Sequence, residues 1–166
     1  MRKLAATLVL LVIGSAVQAA TQTAHDTQEQ AIRDLFDRYS AAIAAKRLDA
    51  VMAVYAPDVV AFDAFPPRQY VGVAAYRKDY EGFFAAFPGP ARSKASDVTI
   101  KVVGPLAYAY GVDHWTVTDA AGKVTEMTFR FTDVLVKDKG KWLIVHEHVS
   151  FPVDPTTGTA DFTSKP

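Results

Sequence analysis

A chain of 166 residues, half of them hydrophobic, is long enough to bury one real core and too short for two ordinary domains. Its 18 lysines and arginines balance its 18 aspartates and glutamates, and no basic run stands out, so neither nucleic acid nor an anionic membrane surface is an expected partner. The absence of cysteine excludes disulfides and thiolate metal sites, leaving stability to packing.

The N-terminus has the layout of an export signal. Arg2 and Lys3 precede an apolar run from Leu4 to Ile13, and small residues surround Val17 and Ala19 where a signal peptidase would cut. The run is shorter than the roughly 20 residues a membrane-spanning helix needs. The expectation is a leader over 1–19, a polar lead-in over 20–26, one domain over 27–153 and a loose tail rich in Thr, Gly, Ser and Pro over 154–166. The mature chain would be periplasmic or secreted, near neutral, and free of the membrane after cleavage.

Thr27 with Gln30 has the form of a capping box, and Ile32, Leu35, Phe36, Tyr39 and Ile43 then recur at helical spacing, predicting a first helix. Leu48, Val51, Met52 and Tyr55 predict a short second helix closed by Pro57. Val59 to Asp63 reads as a strand, Phe65-Pro66-Pro67 as a turn, and Gln69 to Val71 as a short return strand ending at Gly72. In the third helix Tyr76, Tyr80, Phe83, Phe84 and Phe87 form an aromatic stripe, either core or a lid over a ligand, and Pro88-Gly89-Pro90 stops it. Four strands follow, Ser96 to Val103, Ala107 to Thr118, Val124 to Val136 and Trp142 to Phe151, separated by turns at Gly104-Pro105, Asp119 to Gly122 and Lys139-Gly140. Helices first and a long antiparallel meander after them make an α+β plan, three N-terminal helices covering one face of a curved sheet.

From Thr125 to Phe151 the side chains sort by parity. Met127, Phe129, Phe131, Leu135, Leu143, Val145, Val149 and Phe151 share one face; Thr128, Arg130, Thr132, His146, His148 and Ser150 share the other. Asp133 and Glu147 interrupt the apolar face, and parity adds Asp113 and Trp115 to it. A carboxylate on a buried apolar surface must be protonated, paired, or wetted by a cavity. The expected pocket wall is Asp113, Trp115, Phe129, Phe131, Glu147 and Val149 from the strands, with Tyr55 and Phe83 from the helices. Several carboxylates among aromatics favour a small neutral or cationic molecule over an anion. His146 and His148, with His114 on the same side, have a spacing that two metal ligands can use, but that face suits a subunit contact better and no metal is expected. Nothing resembles a phosphate loop, a nucleophile elbow or a dinucleotide fingerprint.

The segment RYSAAIAAKRLDAVMAVYAPDVVAFDAFPPRQYVG, Arg38 to Gly72, resembles the first half of ketosteroid isomerases, within the nuclear transport factor 2-like and SnoaL-like superfamily. The ending GKWLIVHEHVS, Gly140 to Ser150, is similar to the association domain of calcium/calmodulin-dependent kinase. The resemblance implies a cone-shaped curved mixed or antiparallel sheet. It also implies Tyr39 as an oxyanion donor, Asp63 as a catalytic base, and Asp133, kept protonated by apolar neighbours, as a second donor. The kinase-associated pocket carries arginines where Asp113, Asp133 and Val149 stand here, so a carboxylate ligand is not expected.

Plainer alternatives stand beside these roles: a core tyrosine for Tyr39, a turn-capping carboxylate for Asp63, a paired structural carboxylate for Asp133. The first functional expectation is an exported small-molecule-binding domain acting as a cofactor-free isomerase, cyclase or dehydratase. The second is a non-catalytic homo-oligomeric module, a homodimer or larger ring joined through the outer sheet face.

Overall fold

The computed structural model describes residues 4–163. Helix α1 runs Leu4–Ala44 and α2 Leu48–Met52; strand β1, Tyr55–Phe62, and β2, Tyr70–Val71, precede helix α3, Val73–Ala86. Four long strands complete the chain: β3, Ala91–Val103; β4, Leu106–Thr118; β5, Val124–Asp138; and β6, Lys141–Ser150. They form one six-stranded curved sheet in the order β2-β1-β6-β5-β4-β3. β1 runs parallel to β6 and every other pair is antiparallel, so the sheet is mixed, as expected of this α+β plan. The helices cover one face, with α1 against β3 and α3 against β1, and Ile32, Leu35, Ile43, Val51, Tyr76, Val59, Val117 and Leu135 are fully buried between the layers.

Several boundaries differ from the sequence reading. Thr27 does not begin a helix, because α1 is already formed on its N-terminal side: its hydroxyl donates to the Thr23 carbonyl 2.8 Å away, and Gln30 Nε2 donates to Asp34 Oδ1. Of the expected leader, Arg2 and Lys3 lie outside the described residues, as do 164–166 of the tail. No helix among the described residues is long and apolar enough to cross a membrane. Tyr55 belongs to β1 rather than to the second helix, because the residues before Pro57 are driven towards extended backbone. Pro57 itself falls in the irregular stretch between Tyr55 and Val60, where a missing N–H interrupts no ladder. β3 starts at Ala91, five residues earlier than expected, and its register shifts between Ser96 and Thr99, where Asp97 has φ 53°. The segment expected as a loose tail folds back: Val153 bridges Ala160, Thr128 N–H donates to the Phe162 carbonyl, and the Phe162 ring meets Phe151 at 4.5 Å.

The difference that matters most for the site is a bulge in β6. Val134 pairs with His146 but Leu135 pairs with Ile144, which leaves Val145 as an extra residue. The strand therefore changes parity there. Trp142 and Ile144 are buried in place of the expected Leu143 and Val145, while Glu147 and Val149 keep the inward face.

Candidate functional site

A cavity of about 580 Å³ opens between the helices and the concave face of the sheet. Each expected site residue lies on its wall. α1 supplies Tyr39; β1 and the turn after it supply Tyr55 and Asp63; α3 supplies Phe83. Alternating positions bring Asp113 and Trp115 from β4, Phe129, Phe131 and Asp133 from β5, and Glu147 and Val149 from β6. Trp115 is the aromatic hub, its ring 5.2 Å from Phe83, 5.8 Å from Phe129 and 6.4 Å from Tyr39.

Tyr76 and Tyr80, part of the aromatic stripe that the sequence leaves between core and ligand lid, belong to the site without having been singled out for it. Both are buried, both line the cavity, and their hydroxyls connect it. Tyr39 and Tyr80 hydroxyls lie 2.6 Å apart, Tyr80 and Tyr55 hydroxyls 3.3 Å apart, and Tyr55 donates to Glu147 Oε1 at 3.0 Å. Tyr76 OH is bonded to Glu147 Oε2 and also lies 3.1 Å from Asp63 Oδ2. The available signal was chemical: a stripe of phenylalanines needs no partners, whereas buried tyrosine hydroxyls do. Asp79 and Ser93 were missed as well. Tyr70 donates to Asp79 at 2.6 Å, and Ser93 donates to Asp113 at 2.9 Å.

Counting protons gives the site its chemistry. A phenol has one hydrogen to donate. Tyr76 contacts two carboxyls, so both contacts are hydrogen bonds only when one of Asp63 and Glu147 carries a proton and donates it to the phenol oxygen. The electrostatics agree: burial pushes Glu147 up to about 7, against the pull of its bonds from Tyr76 and Tyr55. Burial also raises Asp63, partly offset by the Phe65 N–H that donates to its Oδ1 at 3.1 Å. Asp63 thus caps its turn with one oxygen and reaches Tyr76 with the other. Burial holds Tyr39, Tyr55, Tyr76 and Tyr80 well above the ordinary phenol range, so all four stay neutral donors.

Asp113 accepts from Trp115 Nε1 at 2.7 Å as well as from Ser93; burial raises its carboxyl and these bonds resist the rise. Asp133 has no such company. The residue is 3% exposed and its Oδ1 is buried with no hydrogen-bond partner. Burial pushes it well up, and Glu147 and Asp113 push it further. The paired structural carboxylate envisaged for this position is not what the structure has.

The histidines lie on the other face of the sheet. His146 Nδ1 donates to the Val60 carbonyl at 2.7 Å, and His114 meets Thr128 Oγ1 at 3.0 Å. His114 stands opposite Thr128 and His148 opposite Thr132, so they are separated along β5. Among the described residues no group of three or more His, Cys, Asp and Glu is arranged to hold a metal ion.

The SnoaL-like domain family matches residues 32–154, nearly the whole of this fold. The chain belongs to the SnoaL-like family. Its architecture recurs in a nuclear transport factor 2-like protein of unknown function from Pseudomonas putida, 30% identical, with a TM-score of 0.77 over 85% of this chain and 98% of that one. A protein from Xanthomonas campestris assigned as a calcium/calmodulin dependent protein kinase II association domain is 28% identical, with a TM-score of 0.65 over 72% of this chain and 84% of that one. A protein from Novosphingobium aromaticivorans assigned as a scytalone dehydratase is 18% identical, with a TM-score of 0.69 over 84% and 95%, a likeness of fold. No curated protein matches the chain. SnoaL-like membership thus accounts for the element order and leaves the chemistry to the residues that line the cavity.

Proposed function

We propose that this chain is an exported SnoaL-like enzyme that works on a small molecule in the cavity by acid and base chemistry without a cofactor, as an isomerase, cyclase or dehydratase. One observation carries the reading: Asp63 and Glu147 meet at the single Tyr76 hydroxyl, a geometry in which both contacts are hydrogen bonds when one of the two carboxyls holds a proton. With Glu147 near 7, the unit sits where a general acid or base is most effective at neutral pH.

In its proton-poor form the unit takes a proton from carbon next to a carbonyl. The Tyr39 hydroxyl donates to the oxygen on which enolate charge develops while Tyr80, bonded to it, turns its own hydrogen towards Tyr39. The unit then returns the proton to a second carbon, which completes an isomerisation, or to a leaving hydroxyl, which completes loss of water. Export is supported by Arg2, Lys3 and the apolar run from Leu4 to Ile13, and the compartment would be the periplasm or the exterior.

Hydrogen exchange at carbon tests this proposal. In D₂O with a panel of small cyclic ketones, β-hydroxy ketones and amino ketones, the wild type should speed deuterium entry at the α-carbon of at least one. Asp63→Asn and Glu147→Gln should each slow it by about 10²–10⁴-fold. No acceleration by the wild type, or full activity in both variants, would contradict the reading.

A second reading, a homo-oligomeric module, is favoured by the outer sheet face. Tyr108 and Tyr110 stack there with rings 6.4 Å apart, 44% and 47% exposed, beside exposed Leu106 and Val103. This face suits a second copy of the chain, and such a dimer is compatible with an active cavity on the opposite face.

A further inference from the structure

The cavity wall carries five carboxyls, Asp63, Asp79, Asp113, Asp133 and Glu147, and, among the described residues, Lys78 as its one basic side chain. Four of the five are already served by protein donors: Asp63 by Phe65 N–H, Asp79 by Tyr70, Asp113 by Ser93 and Trp115, Glu147 by Tyr55 and Tyr76. Asp133 is the exception, with Oδ1 buried and unpartnered. Its neighbours across the strands explain why: Ala109 on β4 has no donor in its side chain, and Glu147 on β6 is another carboxyl.

We propose that the ligand of this cavity carries a protonated amine, which seats its ammonium at Asp133 and beside Glu147 while its apolar body lies among the aromatic side chains. The proposal rests on the reading of the cavity as a substrate site and names the class of substrate. An ammonium brings three donors and no acceptor, so it fills the empty acceptor of Asp133 without breaking a bond the protein has made. Its charge also favours release of the Asp133 proton on binding, so that the ammonium pairs with a carboxylate. Ring faces on Trp115, Phe129 and Phe131 attract a cation and accept a hydrocarbon equally well. An anionic ligand would oppose that ionisation. A neutral ligand would leave Asp133 protonated. This assigns Asp133 to recognition of the substrate, in place of the second oxyanion donor that the isomerase resemblance implies.

Matched probes separate charge from shape. Calorimetry at pH 7.5 with benzylamine, 2-phenylethylamine and cyclohexylmethylamine, each against the corresponding alcohol, should show at least one amine binding about tenfold or more tighter than its alcohol. Asp133→Asn, which keeps the shape, should weaken that amine by about 10–100-fold and the alcohol far less, and circular dichroism matching the wild type reports that the variant is folded. Amines that bind no tighter than their alcohols, or an amine unaffected by Asp133→Asn, would overturn the proposal. The deuterium exchange of neutral ketones distinguishes the two failures. If exchange proceeds while no amine is preferred, the substrate site stands and the cation falls; if neither is seen, both fall.

Discussion

Asp133 and Glu147 face each other in direct register across β5 and β6, yet two phenols donate to Glu147 and no group bonds to Asp133 Oδ1. A core built for stability alone would not keep two adjacent carboxyls on its inner face, one of them unsatisfied. The asymmetry fits a site in which one carboxyl handles protons and the other waits for a ligand.

Stability should depend on pH in an unusual direction. The folded value of Glu147 is raised from 4.5 to about 7, so between those values the folded state binds more protons than the unfolded one. The associated stability is present below about pH 4.5 and is lost as pH rises through about 7. The shift corresponds to roughly 3 kcal/mol for Glu147. Asp133, Asp113 and Asp63 are raised too and act in the same sense. Thermal unfolding should therefore show a higher midpoint at pH 5 than at pH 8, and Glu147→Gln should flatten the dependence.

Asp133→Asn should stabilise the protein at pH 8, by about 1–2 kcal/mol, because the wild type must there either ionise an unpartnered buried carboxyl or hold its proton against solvent pH. The gain should shrink at pH 5. Denaturant titration at the two pH values measures both, and a variant less stable than wild type at pH 8 would mean that Asp133 has a partner in solution.

Tyr76→Phe removes one hydroxyl that two carboxyls share. It should cost about 1–3 kcal/mol by denaturant unfolding. It should also separate the titrations of Asp63 and Glu147, which a merely structural tyrosine would leave alone.

On the outer face, Thr99, Tyr110, Thr132, His148 and Phe62 form one row across the sheet. Thr132→Glu puts a charge in the middle of that row and should convert a dimer into a monomer in sedimentation analysis, with the cavity chemistry retained. An unchanged mass would exclude this face as the contact.

Much of this was legible in the sequence because strand parity is a simple rule. Asp113, Trp115, Phe129, Phe131, Asp133, Glu147 and Val149 all sort inward by alternation, and the structure brings them to one wall. Alternation failed at Leu143 and Val145, since a bulge inserts one residue and leaves no mark in hydrophobicity. Helical spacing found the α3 stripe but could not tell a packing tyrosine from one whose hydroxyl links two carboxyls. That distinction depends on β6 lying opposite α3, which is tertiary. The start of β3 was hidden by Arg92, Ser93 and Lys94, whose polar character masks a strand with Ser93 facing the cavity.

The chemistry proposed for this cavity turns on a proton held near neutral pH by carboxyls that elsewhere would be ionised. Carbon-13 NMR titration of the side-chain carboxyls, assigned through Glu147→Gln and Asp133→Asn, tests it directly. Glu147 should titrate near 7, and Asp133 should keep its proton well above the ordinary carboxylate range. Titration of both groups near 4, as for carboxyls in water, would contradict it.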